Sequence, residues 1–309
     1  MNGTEGTTAG GTEGTTAGTT AGGTVLLAAD LDRTLIYSRS AAGGCSSSAA
    51  RGYSRSAARG YSPLAARGAA ELVTVEHYDG VPASFMTAAA AAMLAELAGE
   101  HLLVPVTTRT QAQLARVVLP GPAPRYAVAA NGGVLLVDGV LDPGWAAGVR
   151  ARLEAVAPLA EAVAAFRAAC DPVSCPAIRS AQDMFCYAVV DRDRLPAEAV
   201  EELSAWAVPA GWVTSLQGRK LYLVPRTLTK SAAIAEVAER AGVRIVLAAG
   251  DSSLDLDLLQ YAYRSVRPGH GELAAAGWRE PHVDALDSTG VVAGEQIVAW
   301  FAAQLRLLR

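Results

Sequence analysis

Asp30 and Asp32 stand two residues apart at the end of the apolar run in TVLLAADLDRTLIYS, residues 24–38. On an extended segment that spacing turns both carboxylates to one side. One could then attack an electrophile while the other moves a proton. A polar strand end would look the same, so the meaning of the pair rests on what else the chain brings to it. HLLVPVTT (101–108) delivers Thr107, Thr108 and then Arg109, and RYAVAANGG (125–133) ends in Asn131 and Gly132. RIVLAAGD (244–251) delivers Asp251, followed by Ser252, Ser253 and Asp255. Three carboxylates at one edge repel each other unless a hard divalent cation sits among them. Mg²⁺ suits so few ligands, because it keeps several waters and takes one or two carboxylates plus a phosphate oxygen. Of the 26 basic residues only Lys220 and Lys230 are lysines. Lys230 opens the helical stretch TKSAAIAEVAERAG (229–242), and a compact ammonium at the base of a cleft suits a phosphoryl group better than a guanidinium fork.

These groups need strands that end together. The short apolar runs 24–30, 101–108, 125–129 and 244–249 read as strands buried on both faces. They alternate with helical patterns at 83–99, 111–118, 229–242, 253–262 and 294–308, with Thr229 as an N-cap and Gly242 beyond the third helix. Such alternation implies a parallel sheet covered on both sides, whose ligands bind at the carboxyl ends of the strands. The middle differs. Strand-like VLLVDG, an interrupted helix over 144–169, MFCYAVVD, a helix near 197–206 and WVTSLQGRKLYLVP suit a small α+β module. The expected fold is therefore α/β, with a Rossmann-like core formed by residues 24–130 and 227–309 and an α+β cap, 131–226, inserted into it. Residues 1–23 repeat GTEGTTAG and hold almost no apolar area, so a disordered tail is expected. Residues 39–69 carry SAARGYSR followed by SAARGYSP and read as a flexible insertion.

The chain has 309 residues, 51% of them hydrophobic, and a net charge of −4. That is enough for a large core, and it offers no basic field for nucleic acid or an anionic membrane. The most apolar helical stretch, FMTAAAAAMLAELAG, contains Glu96 and is mostly alanine, so no membrane span is expected. Cys45, Cys170, Cys175 and Cys186 form no C-x-x-C pair and read as structural thiols. With no secretory signal visible, the composition suggests a cytoplasmic protein; it does not set the oligomeric state.

DLDRT followed by an apolar residue, VPVTTRT, a lone lysine opening a helix, and GDSSLD after an apolar strand resemble, in order, the four motifs of the haloacid-dehalogenase-like (HAD) hydrolases. The likeness runs over roughly residues 24–309. The inserted module resembles the C2 cap of the branch that contains Cof-type sugar phosphatases, sucrose-phosphate phosphatase and mannosyl-3-phosphoglycerate phosphatase, and the NGG turn entering it is similar too. The resemblance implies Asp30 as the nucleophile, forming an aspartyl-phosphate, and Asp32 as general acid–base. It implies Mg²⁺ held by Asp30, the Asp32 backbone carbonyl and Asp251, with Asp255 and Ser252 in support, and Thr107 and Lys230 on phosphoryl oxygens. Arg33 stands where many members have Gly and could pair with Asp32 or reach the substrate. Thr108 replaces a common Gly or Ser and competes with Thr107 for the phosphate. Arg109 could touch substrate or close a loop, and Asn131 and Gly132 are further substrate-side candidates. In capped members the segment at 39–69 gates the cleft.

Several residues read more simply as structural: Asp257 as a surface helix residue, His270 as a loop histidine with local bonds, QGRK (217–220) and Arg179 as solvated cap residues, and Trp145, Trp212 and Trp278 as packing. The implied activity is hydrolysis of a small phosphorylated metabolite, first of all a sugar phosphate. The rivals are a phosphotransferase or phosphomutase on the same scaffold and a non-catalytic binding module, which would be expected to lack one of the two aspartates. Removing residues 1–22 is expected to leave turnover unchanged; a large loss would show that the tail is not idle.

Overall fold

The computed structural model describes residues 24–42 and 70–309. The expected tail, 1–23, and most of the expected insertion, 43–69, lie outside the described residues. β1 (Leu26–Ala29) is buried along its whole length. Beyond it Leu31 O accepts from the N–H groups of Thr34, Leu35 and Ile36, a tight turn that leads into β2 (Tyr37–Ser38) and the single helical turn α1 (Arg39–Ala42). β3 (Leu72–Tyr78) and β4 (Val81–Thr87) form a hairpin across Asp79 and Gly80, and β2 pairs with β4 to complete an antiparallel sheet of order β2–β4–β3. The alanine-rich pattern predicts a helix from residue 83, but α2 begins at Ala88 and ends at Glu100. Residues 83–87 pair with β3 instead, and Thr87 Oγ1 accepts from Ala90 N at 3.0 Å to start the helix there.

The chain continues through β5 (Leu102–Pro105), a short α3 (Gln111–Leu114) held by a Thr110–Gln113 capping box, and an antiparallel meander of β6 (Tyr126–Ala129), β7 (Val134–Val137) and β8 (Val140–Leu141). The interrupted helix resolves into α4 (Pro143–Leu153) and α5 (Leu159–Ala169), separated at Pro158, which cannot continue a helix. β9 (Ile178–Ala181), β10 (Phe185–Val189), α6 (Ala197–Ala210), β11 (Trp212–Gln217) and β12 (Lys220–Pro225) follow. The four strands form an antiparallel sheet of order β11–β12–β10–β9, with α5 and α6 packed against it. Trp145 and Trp212 are buried packing residues, and Cys170, Cys175 and Cys186 are buried free thiols. Then come α7 (Lys230–Ala241), β13 (Val246–Ala249), α8 (Leu256–Tyr261), β14 (Arg264–Arg267), α9 (Glu272–Ala275), β15 (Val283–Ala285) and α10 (Gly290–Leu307). No helix among the described residues is long and apolar enough to cross a membrane.

The fold is α/β. Its core is a parallel sheet of order β15–β14–β13–β1–β5, and a parallel bridge between Val106 and Val128 carries β6 alongside. Sequence neighbours of β1 lie on one side and the late strands on the other, so the crevice of a doubly wound sheet opens at the carboxyl end of β1, where Asp30 stands. The turn after β6, residues 130–132, touches the segment that leads into α7, residues 226–230. Asn131 Nδ2 donates to Leu228 O at 2.8 Å. Gly132 has φ +92°, and a Cβ there would lie 2.1 Å from Thr229 O. Gly132→Ala is therefore expected to cost about 2–3 kcal/mol, read as a lower denaturation midpoint at unchanged m-value.

Candidate active site

Asp30 leaves β1 with its N–H bonded to Ala249 O at 2.9 Å, so its backbone belongs to the sheet while its side chain lies past the edge. Lys230 Nζ lies 2.6 Å from Asp30 Oδ1 and also donates to Asp255 Oδ1, with no solvent exposure of the lysine. The other oxygen of Asp255 accepts from Asp251 N (3.1 Å), Ser252 N (2.9 Å) and Ser252 Oγ (2.7 Å). Carboxylate oxygens of Asp30, Asp251 and Asp255 lie within 4.8 Å of one another. Burial, only partly opposed by Lys230, pushes Asp30 up to about 7. Burial, with the charges of Asp255 and Asp30, raises Asp251 well above the carboxylate range.

These residues fit a divalent cation. Asp255 has spent both oxygens, whereas no hydrogen bond from the described residues reaches Asp30 Oδ2 or Asp251 Oδ1. Two buried carboxylates with one uncommitted oxygen each make a hard-donor set that only positive charge would relieve. Asp255 acts instead as the brace between Lys230 and the backbone after β13.

Asp32 has a different partner. Arg109 grips it with Nε on Oδ2 at 2.7 Å and Nη2 on Oδ1 at 2.8 Å. Burial works against ionisation of Asp32, but the Arg109 fork outweighs it and holds the carboxyl below its ordinary range. The third nitrogen, Nη1, lies 2.9 Å from Glu76 Oε1 on β3. Arg109 therefore does more than close a loop, and Asp32 is not the partner of Arg33. Arg33 adopts φ +65° and swings towards β13, where its Nε meets Asp251 Oδ2 at 3.2 Å. Its carbonyl is held by the Tyr37 hydroxyl (2.9 Å) and by His270 Nε2 (2.7 Å). Gly290 N donates to His270 Nδ1 at 3.3 Å, which puts the imidazole proton on Nε2, and burial keeps the ring below its ordinary pKa. His270 thus bonds across the fold to the Asp30 loop rather than locally. Asp257 also departs from the surface reading: its Oδ2 accepts Ser231 N at 2.6 Å and caps the start of α7, beside Lys230.

Thr107 is fully buried and its Oγ1 accepts from Arg109 N at 3.2 Å; Thr108 is nearly buried and stands near the Tyr222 hydroxyl. Asn131 and Gly132 line the contact described above. From the end of β11, Gln217 Nε2 donates to Ser252 Oγ at 3.0 Å, so Gln217 is not merely solvated, while Arg179 is exposed. Gly218 lies against the Arg33 guanidinium, and Lys220 and Tyr222 place a cation and a hydroxyl near Asp32 and Thr108. Glu272 ties the two parts together by accepting from Ser215 Oγ (2.6 Å) and Leu216 N (2.7 Å) on β11 and from Ser253 N (3.0 Å). Sequence reasoning misses Glu76, Glu272 and the role of His270, because their partners lie tens to hundreds of residues away. Glu76 is hidden further by a β-bulge that buries Val75 and Glu76 in succession, against the alternation of a regular strand.

No family model matches the chain, and no curated protein does. Among solved structures, 90% of the chain aligns with 98% of a sucrose-phosphatase from Synechocystis sp. PCC6803, solved in complex with sucrose and phosphate, at 15% identity and a TM-score of 0.57. Of a HAD subclass IIB sugar phosphatase it matches 100%, over 91% of this chain, at 13% identity and TM-score 0.51. A protein of Thermoplasma acidophilum aligns over 98% of its length and 90% of this chain at 15% identity and TM-score 0.50. The chain has the fold of the HAD phosphatases.

Adding Mg²⁺ to the cation-free protein is expected to raise the melting temperature, by about 3–5 °C at a concentration ten times Kd. Asp251→Asn should abolish the rise; the same rise in that variant would place the ion elsewhere.

Proposed function

We propose that this chain is a cytoplasmic, Mg²⁺-dependent phosphomonoester hydrolase acting on a small phosphorylated metabolite, with a sugar phosphate as the first candidate. The observation that carries this reading is Asp30: a carboxylate at the end of the central strand, bonded to a buried lysine and flanked by a second buried aspartate with an uncommitted oxygen. The nature of its fold neighbours, two of them sugar phosphatases by name, supports the substrate class. Asp30, the Asp32 carbonyl and Asp251 would hold the ion, which supplies positive charge to a phosphoryl group and lets the carboxylates ionise together.

In this reading an Asp30 oxygen attacks phosphorus in line, the bond from phosphorus to the leaving oxygen breaks, and an aspartyl-phosphate forms. Asp32, which must first take up a proton against the pull of Arg109, gives that proton to the leaving oxygen. It then takes a proton from water, which attacks phosphorus, releases phosphate and restores Asp30. Lys230 and Thr107 donate to phosphoryl oxygens, and Thr108 and Ser252 stand beside them. Residues 131–226 act as the cap over a core of 24–130 and 227–309, with Gln217, Lys220 and Tyr222 at the leaving-group side, where they exclude water. Arg33 holds Asp251 and meets the cap turn.

A panel of phosphorylated metabolites assayed for phosphate release tests the reading. Asp30→Asn is expected to reduce release to background while the protein stays folded, with a melting temperature close to wild type. Retained release would remove Asp30 as nucleophile. Interconversion of sugar phosphate isomers without net phosphate would favour a mutase.

A further inference from the structure

Glu76 is a buried carboxylate outside every motif. Its side chain is 4% exposed, and all its oxygens are engaged: Oε2 accepts from Ser84 Oγ at 2.6 Å, and Oε1 meets Arg109 Nη1 at 2.9 Å and Arg116 Nε at 3.2 Å. It therefore holds the far end of the guanidinium whose near end forks onto Asp32. Arg109 is a crossbar between two carboxylates, one in the β3–β4 hairpin and one in the loop after β1. A planar guanidinium held at one end can still pivot about that fork; held at both ends it cannot. The Asp32 side chain is 40% exposed and has no other ion pair among the described residues, so its orientation depends on that crossbar. Burying an arginine nitrogen beside an anion that serves only to fold the hairpin would be wasteful, since exposed arginines abound and buried ion pairs rarely add stability.

We propose that Glu76 is a positioning residue for protonation of the leaving group: through Arg109 it keeps the Asp32 carboxyl directed at the leaving oxygen. The inference rests on the hydrolase reading above, in which Asp32 is the acid. Glu76 itself touches neither phosphate nor cation. Loss of its charge frees Arg109 to turn, and the transfer of a proton to a basic leaving group suffers, whereas departure of a leaving group that needs no proton does not.

Two aryl esters separate these effects, because p-nitrophenolate leaves without a proton and phenolate leaves far less readily. The constant kcat/KM covers the steps through leaving-group departure, so slow hydrolysis of the intermediate does not enter. In Glu76→Gln, kcat/KM for phenyl phosphate is expected to fall about tenfold or more, against no more than about threefold for p-nitrophenyl phosphate. Glu76→Asp, which keeps the charge, should recover most of the loss. Glu76→Gln keeps the side-chain volume, so the ratio can be read even if Glu76→Ala does not fold. Equal falls on both esters, or none, would overturn the inference while leaving the hydrolase reading intact. Wild-type protein that releases phosphate from neither ester nor any member of the metabolite panel would overturn both.

Discussion

The interaction on which the site depends is the ammonium of Lys230, removed from solvent and shared between Asp30 and Asp255. A lone buried ammonium is costly, and removing one partner of a buried pair typically costs about 3–5 kcal/mol because it strands the other charge. The surroundings are arranged accordingly. Thr229 starts α7 so that Lys230 is its first residue, and Asp257 caps the next N–H. Asp255 is held by Ser252 and by two backbone N–H groups, which fixes the loop after β13. With Asp30 rooted in the sheet, the three elements that supply the site cannot move independently. The contact between Gly132 and Thr229 locks the start of the same helix from outside.

The remaining charges are arranged around that knot. On one side Arg33 leans on Asp251; on the other Arg109 spans Asp32 and Glu76. The two aspartates of the DLDRT segment are thereby placed in opposite electrostatic environments. Asp30 is raised by burial and by neighbouring carboxylates, and Asp32 is lowered by the guanidinium. Carboxylates two residues apart that differ in this way are suited to different tasks, one to take up positive charge and one to exchange protons. Strands β11 and β12 add a third layer through Gln217, Lys220 and Tyr222. Glu272, itself held by the N–H and hydroxyl of Ser253, binds that layer to the core by two hydrogen bonds, one of them to a backbone N–H.

What could be read from the sequence was periodicity and local punctuation. Short apolar runs that alternate with helical patterns suit strands buried on both faces of a parallel sheet, and polar residues just after such strands lie at its carboxyl edge. Asp30, Thr107 and Asp251 were visible for that reason, and Lys230 through its rarity and its place after a capping threonine. The split of 144–169 at Pro158 and the end of α7 at Gly242 follow equally from residue type. The start of α2 did not: alanines at 88–92 favour helix, but pairing with β3 claimed residues 83–87.

The pairing of charges was beyond reach of the chain read in order. Whether Arg33 meets Asp32 or Asp251 depends on a single left-handed residue that turns its side chain towards β13, and a backbone angle at one non-glycine position leaves no periodic trace. Glu76 faces inward because a bulge shifts the register of β3, and a shift of one residue exchanges the faces of a strand. His270 holds Arg33 across 237 residues of sequence. The sequence alone determined which residue types stand at the sheet edge, since hydrophobic burial acts on patterns of near neighbours. The tertiary structure alone decided which charges face which, since electrostatic pairing acts through space and has no memory of separation along the chain.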